Sequence, residues 1–340
     1  MATIKDVAKR AGVSPTTAKR ALYEPHLLAP KTLERVRRAI EELGYEPDLN
    51  AGGLRRGWNK TIGLIVGNIL EPFFADLMRS VVRSGREKGY GVITMENEYR
   101  AENELPVLRM LYGYRVGGLV IRSGFWGSNL EYLKRLHQRG IYVVEIDHFY
   151  PGSPFSHVML DNEKAVMEGV RYLADLGHRR IAFLGHFYNP QVPDERSLAF
   201  PKAMQALGLP LFEPYLQSLP ELGEQGAYAL THELMRLSEP PTALFALNGT
   251  GAAGAFRALR ELGFRIPQDV SLLTFDNYFW TELVTPPLDV IEQPVEEMGR
   301  LATQLVIQAI DTRDLTKVVR YRLPGTLIRR ASCAPPKIAT

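Results

Sequence analysis

The chain has 340 residues, of which 45% are hydrophobic and 23% charged, a composition typical of a soluble globular protein with two or three domains. Its single cysteine, Cys333, excludes an internal disulfide framework and a cysteine-rich zinc site, and no apolar run approaches the roughly 18 residues that a membrane helix needs. The first 60 residues carry 12 basic and 7 acidic side chains, a net charge of +5, whereas the remaining 280 carry 29 and 31. A basic N-terminal segment on a nearly neutral body predicts a polyanionic partner.

The N-terminus opens on a charged amphipathic segment rather than on an apolar signal core. We therefore expect a cytoplasmic protein with no membrane partner. Thr3 begins a Thr-x-x-Asp capping box for a first helix, and Gly12 ends that helix because glycine readily adopts the left-handed conformation. Ser14 suits the N-cap of a second helix, and Pro15 suits its first position. Two short helices joined by a glycine turn predict a helix-turn-helix, whose second helix enters the major groove of DNA.

This placement assigns DNA contacts to particular side chains. Thr16 is predicted at a base edge and Arg20 on a guanine, while Lys5 and Lys19 suit phosphate groups. The predicted contacts of the two helices are Thr3, Lys5, Ser14, Pro15, Thr16, Thr17, Lys19 and Arg20. The alternative is a well-capped surface helix without a nucleic-acid partner.

A third helix is predicted from about Lys31 to Leu43, with an apolar stripe on one face and Gly44 at its end. From here the sequence resembles the lactose-repressor (LacI/GalR) family of bacterial transcription regulators. The resemblance lies in IKDVAKRAGVS at 4–14, ERVRRAIEELGYEP at 34–47 and KTIG at 60–63, and it extends through the rest of the chain.

The resemblance implies a helix-turn-helix domain over residues 1–47, a hinge over 48–60, an effector-binding and dimerisation domain over 61–332, and a tail over 333–340. It also implies a homodimer on palindromic operator DNA. It adds Leu54 and Arg55 to the DNA contacts, with Leu54 wedged into the minor groove. We expect the last residues, 335–340, to be disordered.

The head departs from the family pattern at three places. Ala18-Lys19-Arg20 stands where the family usually has Val-Ser-Arg, and Tyr23 replaces an asparagine. The hinge carries Gly52-Gly53, and each glycine costs a helix about 1 kcal/mol relative to alanine. This predicts a weak hinge and an operator affinity that depends more on charge.

From residue 61 the chain alternates strand and helix patterns. The predicted strands are Thr61–Val66, Gly91–Met95, Gly118–Arg122, Tyr142–Ile146, Val158–Leu160, Ile181–Gly185, Ala243–Leu247 and Ser271–Phe275; the predicted helices include Phe73–Lys88, Lys164–Leu176, Ala252–Leu262 and Val295–Ile310. This α/β alternation predicts two doubly wound parallel-sheet subdomains with a ligand cleft at their facing strand ends. The arrangement resembles the type I periplasmic-binding-protein fold.

One motif favours a different function. Gly249-Thr250-Gly251-Ala252-Ala253-Gly254 is a formal G-x-G-x-x-G between a strand and a helix, as in a nucleotide-dependent oxidoreductase. The motif lies deep in the chain, however, and not in a first βαβ unit. A third possibility is a repressor whose cleft binds no small molecule and which a protein partner controls.

The resemblance implies which residues bind a small-molecule effector, most simply a sugar or sugar derivative. Arg196 falls on the family's Arg-x-x-Gly-Phe motif, Asp276 on its cleft aspartate, and Asn248 on its Asn-Asp pattern, in which Gly249 replaces the aspartate. Aromatic side chains after strand ends are expected to stack on a ring. The predicted ligand contacts are Phe73, Phe74, Trp126, Arg196, Asn248, Gly249 and Asp276. Phe279 and Trp280 are weaker aromatic candidates, and Asp147 and Asp161 weaker acidic ones.

Gly249 motivates a hypothesis about the effector's charge. Without the aspartate, backbone N–H groups at a helix N-terminus are left bare, and such groups favour an anion. We therefore expect an effector with an anionic group, such as a sugar phosphate. No cofactor, metal site or catalytic residue is predicted, because the sequence shows no nucleophile elbow and its histidines, His148, His157, His178 and His186, lack metal-ligand spacing. We expect these histidines at the surface or at helix ends.

Overall fold

A computed structural model describes residues 2–46, 59–124, 129–186, 194–221 and 223–337. The chain divides into two compact units, Met1–Asn59 and Lys60–Thr340. Among the described residues, no helix is both long and apolar enough to cross a membrane.

The first unit contains the three predicted helices, α1 (Ile4–Ala11), α2 (Pro15–Tyr23) and α3 (Pro30–Leu43). Their caps confirm the local signals in the sequence. The Thr3 hydroxyl accepts a hydrogen bond from the Asp6 N–H at 3.3 Å, and the Asp6 carboxylate accepts one from the Thr3 N–H at 2.8 Å. Gly12 ends α1 with φ +63°. These helices enclose a small core of short side chains: Val7, Ala8, Ala11, Ala18, Ala21, Val36 and Ala39.

The second unit is an α/β structure, as predicted. Its strands are β1 (Asn59–Val66), β2 (Gly91–Glu96), β3 (Val116–Ile121), β4 (Tyr142–Ile146), β5 (Ser156–Leu160), β6 (Ile181–Leu184), β7 (Ala243–Ala246), β8 (Ser271–Phe275), β9 (Asp289–Glu292), β10 (Arg320–Leu323) and β11 (Thr326–Ile328). Its helices are α4 (Pro72–Glu87), α5 (Ala101–Gly113), α6 (Leu130–Gln138), α7 (Asn162–Asp175), α8 (Glu195–Ala206), α9 (Glu224–Leu234), α10 (Gly249–Glu261), α11 (Trp280–Leu283) and α12 (Val295–Thr312). Every predicted strand is present, with ends displaced by at most two residues.

The strands form two sheets. The first has the order β10-β5-β4-β3-β1-β2, and the second has the order β11-β9-β8-β7-β6. The pairs β1–β2, β3–β4, β4–β5, β5–β10, β6–β7, β7–β8 and β8–β9 run parallel, whereas β11 runs antiparallel to β9. The chain therefore passes from the first sheet to the second after β5, returns to the first at β10 and enters the second again at β11. Three segments of the chain connect the two subdomains. Two doubly wound sheets confirm the predicted fold class.

Two helices that the sequence does not predict contain a proline. Pro106 lies inside α5 and Pro201 inside α8, and proline disrupts an isolated helix because it lacks an N–H donor. Tertiary packing overrides this local preference: Leu108 and Leu111 of α5, and Phe200 of α8, are completely buried.

The G-x-G-x-x-G motif serves helix packing. A Cβ atom on Gly254 would overlap the backbone carbonyl oxygen of Glu224 in α9, and one on Gly249 would lie 2.5 Å from the Tyr278 ring. Gly251 takes part in a cap, since its N–H donates to the Asn248 side chain at 2.7 Å. The glycines are therefore explained without a bound nucleotide.

The chain is held in place just before the predicted disordered tail, and the expectation of disorder is wrong at Lys337, inside that tail. The Asp289 carboxylate accepts hydrogen bonds from the N–H groups of Ser332 and Cys333, at 2.7 and 3.1 Å, and Lys337 forms an ion pair with Asp269. Burial of Asp289, with its several donors, fixes this segment to the second subdomain. Residues 338–340 lie outside the described part.

Candidate DNA-binding face and effector cleft

The start of α2 presents an exposed polar surface. Pro15, Thr16 and Arg20 are exposed, as is Lys5 on α1, while Lys19 is half-buried. In a helix-turn-helix these are the positions that reach base edges and phosphates. The structure therefore leaves the predicted contact residues Thr16 and Arg20 accessible to DNA.

Three of the predicted contacts have an internal role as well. The Ser14 hydroxyl caps α2 by accepting from the Thr17 N–H at 3.1 Å, and it lies 2.9 Å from the Thr17 hydroxyl. The Thr3 hydroxyl donates to Asp6 at 2.6 Å. These hydroxyls hold the ends of the helices, which fixes the direction in which Thr16 and Arg20 project. Leu54, Arg55 and the Gly52-Gly53 pair lie outside the described residues.

A cavity of about 390 Å³ lies between the two sheets. The residues that follow each of β1 to β9 contribute to its lining: in chain order Glu71, Tyr99, Arg122, Asp147, Asn162, His186, Asn248, Asp276 and Gln293. They meet because the carboxyl ends of parallel strands lie at the same edge of a sheet. The volume falls within the range of small-molecule sites.

Five of the seven predicted ligand residues line this cavity: Phe73, Phe74, Arg196, Asn248 and Asp276. Phe73 and Phe74 pack edge to face, with ring centroids 5.0 Å apart, and both are buried. Trp126 lies outside the described residues. The weaker candidates Phe279 and Trp280 do not line the cavity, and Asp161 caps α7, where it accepts from the Lys164 N–H at 3.3 Å.

Arg196, at the start of α8, is held rigidly on the second subdomain. Its Nε donates to Asn162 Oδ1 and its Nη1 to the Leu247 carbonyl, both at 2.8 Å, and its guanidinium stacks 4.1 Å from the centre of the Phe275 ring. Nη2 donates to no described residue. A buried guanidinium with one nitrogen unused is a preformed donor for a ligand oxygen or ring nitrogen.

Asp276 faces the same cavity from the end of β8. Its carboxylate accepts from Gln293 Nε2 at 2.6 Å and from the Gly249 N–H at 3.1 Å. Its backbone has φ +72°, and Asp147 at the end of β4 has φ +63°. Strained backbone of this kind concentrates at functional sites. Each subdomain therefore holds one strained aspartate at the cleft.

The prediction of a bare anion site at Gly249 is wrong. The Gly249 N–H is not bare, because the Asp276 carboxylate already occupies this helix N-terminus and the Tyr278 ring fills the space beside the Gly249 Cα. Gly249 is buried and does not belong to the cavity lining. A carboxylate at this position opposes a second anion.

The first subdomain supplies a chain of polar contacts that the sequence did not reveal. The Tyr99 hydroxyl donates to Glu71 at 2.5 Å, the Arg122 guanidinium lies 4.6 Å from the centre of the Tyr99 ring, and Arg122 Nε lies 3.4 Å from Asp147 Oδ2. The pKa of Glu71 is raised to about 7, chiefly by burial; the hydrogen bond from Tyr99 acts in the opposite direction, and the negative charge of Asp276 across the cleft adds to the rise. Burial likewise raises the pKa of Asp147.

The prediction for the histidines is wrong at all four positions. His157 lies within β5 and is buried, at 7% exposed. His148 and His186 line the cavity, and burial lowers the pKa of each imidazole, so that both are neutral near pH 7. His178 is buried away from the cavity, with ring nitrogens 2.8 Å from the Thr242 hydroxyl and 3.0 Å from the Ser271 hydroxyl. Position in the fold, rather than spacing in sequence, determines their surroundings.

Two further polar atoms of the cavity lack partners. Gln293 Oε1 and His186 Nε2 are buried and make no hydrogen bond to any described residue. Buried polar atoms without partners cost stability, and a ligand that bonds to them recovers this cost.

The positions of Arg122 and Asp147 at the ends of strands indicate from the sequence that they lie at the cleft. No local feature of the sequence gives the same indication for Glu71, Tyr99 or Gln293.

Comparison with known proteins gives the family. Residues 3–48 match the model of bacterial regulatory proteins, lacI family, and residues 170–333 match that of a periplasmic binding protein-like domain. The chain is also 33% identical over 337 residues to the HTH-type transcriptional repressor PurR of Pectobacterium carotovorum subsp. carotovorum (strain PC1), an alignment that covers 98% of this chain and 97% of the relative. The chain belongs to the lacI family. It is a transcriptional repressor of the LacI/PurR type with an N-terminal DNA-binding head.

Two solved structures of similar fold align with nearly the whole chain. The transcriptional regulator CelR in complex with cellobiose is 27% identical, with a TM-score of 0.72, and the alignment covers 98% of this chain and 100% of that one. The Lac repressor dimer bound to operator and the anti-inducer ONPF superposes with a TM-score of 0.84 over 98% of this chain and 99% of that one. Its 21% identity supports the fold alone.

Proposed function

We propose that this lacI-family repressor acts as a homodimer on palindromic operator DNA and that a sugar or sugar derivative in the cleft controls its operator affinity. The observation that carries the proposal is the composition of the cavity. Arg196 and Asp276 of the second subdomain and Phe73 and Phe74 of the first line one cavity. A ligand that contacts both walls favours one relative position of the subdomains, which is how effector binding is transmitted in two-state switches.

The polar groups of the cavity suit a hydroxyl-rich ligand. Arg196 Nη2 offers a donor and Gln293 Oε1 an acceptor, neither of them bonded to a described residue, and Tyr278 also lines the cavity. The buried Phe73 and Phe74 rings supply apolar surface for the carbon face of a sugar ring. The similar transcriptional regulator CelR was solved in complex with cellobiose, which supports a sugar as the ligand class.

Apolar surface on the second subdomain supports a dimer. Phe279 and Leu283, one helical turn apart at α11, are each 75% exposed. Large exposed apolar side chains mark interaction surfaces, and a palindromic operator requires two symmetric heads. Sedimentation of Leu283→Asp, with Val318→Asp as a matched exposed control, tests this assignment: only Leu283→Asp is expected to shift the protein toward monomer.

The test examines operator binding and effector binding separately. An operator is selected from a random DNA pool, and its affinity is then measured by fluorescence anisotropy with and without compounds that stabilise the protein in a thermal-shift panel of sugars, sugar phosphates and nucleobases. Arg20→Ala is expected to weaken operator binding and leave the thermal shift unchanged. Arg196→Ala is expected to abolish the thermal shift and leave the basal operator affinity intact. Arg109→Ala, an exposed arginine on α5, serves as the control.

Other results identify the alternatives. A thermal shift confined to nucleobases would replace the sugar with another ligand class. A protein that binds its operator but is stabilised by no compound would be a ligand-blind repressor under the control of a protein partner. Turnover of a nicotinamide substrate would establish the oxidoreductase function, which the packing role of the glycine motif disfavours.

A further inference from the structure

The cavity contains more negative than positive side chains. Its lining includes the carboxylates Glu71, Asp147, Asp194, Glu195 and Asp276 but only the guanidinium groups of Arg122 and Arg196. Glu195 has a partner outside the lining in Arg322, at 2.5 and 2.8 Å. Asp194 is used as the N-cap of α8, where it accepts from the N–H groups of Arg196 and Ser197 at 3.2 and 3.1 Å. Glu71, Asp147 and Asp276 remain as the carboxylates of the lining that have no positively charged partner among the described residues outside it.

The two guanidinium groups only partly offset these three carboxylates. Arg122 forms its ion pair with Asp147 and also donates to the Ser123 carbonyl at 2.7 Å. Arg196 is directed by its bonds toward Asn162 and Leu247, on the second subdomain. The histidines of the lining, His148 and His186, add no positive charge because burial keeps their imidazoles neutral by lowering the pKa of each.

Glu71 shows the consequence of this imbalance. The groups that face it are the Tyr99 hydroxyl, the carboxylates of Asp276 and Asp147, and Arg122. Burial is the largest cause of the rise in the pKa of Glu71, and both aspartates add to it. A buried carboxylate beside other carboxylates is costly unless a cation compensates it. Gln293 Oε1, a buried acceptor that bonds to no described residue, lines the same cavity and is available to a ligand.

We propose that the effector carries a positively charged nitrogen, held by Glu71 and Asp147 on one wall of the cleft and by Asp276 on the other. This inference rests on the proposed function and narrows its sugar derivative to an amino sugar. The ammonium group donates three hydrogen bonds, which suits three carboxylates, while the sugar hydroxyls reach Arg196, Tyr278 and Gln293. The proposed positive charge is opposite to the negative charge expected from the Gly249 motif, because the carboxylates of the cavity would repel a phosphate group.

The experiment compares sugars with the same ring that carry no charge, an amine or a phosphate group. Thermal shift and calorimetry are performed on the full-length protein with glucose, glucosamine and glucose 6-phosphate, with the corresponding galactose and mannose sets, and with cellobiose against its 2,2′-diamino analogue. An amino sugar is expected to bind at least tenfold more tightly than its neutral and phosphorylated counterparts. Its affinity is expected to rise about fivefold from pH 6 to pH 7, as Glu71 ionises.

Two variants identify the responsible group. Glu71→Gln keeps the shape of the side chain and is expected to remove this pH dependence together with most of the preference for the amine. Glu145→Gln is the matched control, because burial also raises the pKa of Glu145 to about 7 although it does not line the cavity. Equal or tighter binding of a neutral or phosphorylated sugar would overturn the charge assignment and leave the proposed function in place. If no sugar of any charge binds, both proposals fail.

Discussion

Replacement of Glu71 by glutamine should make the stability of the protein less dependent on pH. The folded-state pKa of Glu71 is raised to about 7 from an ordinary value of 4.5, so the folded protein holds this proton more tightly than the unfolded chain. The stabilisation from the protonated group is therefore fully present below about pH 4.5 and is lost as pH rises through about 7. Glutamine is neutral at every pH, so the variant does not lose this stabilisation as the pH rises.

The magnitude follows from the two pKa values. Between pH 5 and pH 8, the free energy of unfolding of the wild type should fall by about 2 to 3 kcal/mol relative to that of Glu71→Gln, because each pKa unit corresponds to about 1.4 kcal/mol. With an unfolding entropy of about 2 cal/mol/K per residue, this corresponds to a relative shift in Tm of about 4 °C for a unit of this size.

Thermal melts followed by circular dichroism at several pH values provide the assay. The difference in Tm between variant and wild type cancels the contributions of other titrating groups, including Glu145 and Asp147. Glu233→Gln, an exposed carboxylate on α9, should give a difference that does not change with pH. If the difference in Tm between Glu71→Gln and the wild type is also independent of pH, the electrostatic account of the cleft is refuted.

Four further predictions concern packing and DNA binding. Gly254→Ala should destabilise the protein by about 1 to 3 kcal/mol, because the methyl group would overlap the Glu224 carbonyl, whereas Gly113→Ala, with open space around it, should be nearly neutral in the same urea denaturation. Ser332→Ala should cost about 1 to 3 kcal/mol in urea, since it leaves the buried Leu272 carbonyl and Asp289 without a hydroxyl donor. Lys19→Ser should weaken binding to all DNA sequences and reduce the salt slope of operator affinity by about 1, as measured by anisotropy. The double variant that combines Gly52→Ala with Gly53→Ala should tighten operator binding about tenfold or more, and an unchanged Kd would contradict the weak-hinge hypothesis.

The amino-acid sequence by itself determined the helices of the head. Thr3, Gly12, Ser14 and Pro15 act on backbone groups within a few residues of themselves, so their effect is visible in the sequence and persists in the structure. The parallel strands were predictable for a similar reason, since a strand buried on both faces is a continuous apolar run, as in β3, β6 and β7. The edge strand β10, with alternating exposure, and the short strand β9 between prolines lack that signal.

Only the tertiary structure decided the chemistry of the cleft. The family motif located Arg196 and Asp276, but local sequence did not show that Asp276 occupies the helix N-terminus at Gly249, 27 positions earlier. Glu71 and Tyr99 meet through loops that follow different strands, and Asp276 acts on Glu71 across two subdomains. Burial and Coulomb interactions depend on distance in space, whereas sequence spacing records distance along the chain. The sign of the cleft's charge therefore emerged only when the two sheets brought their strand ends together.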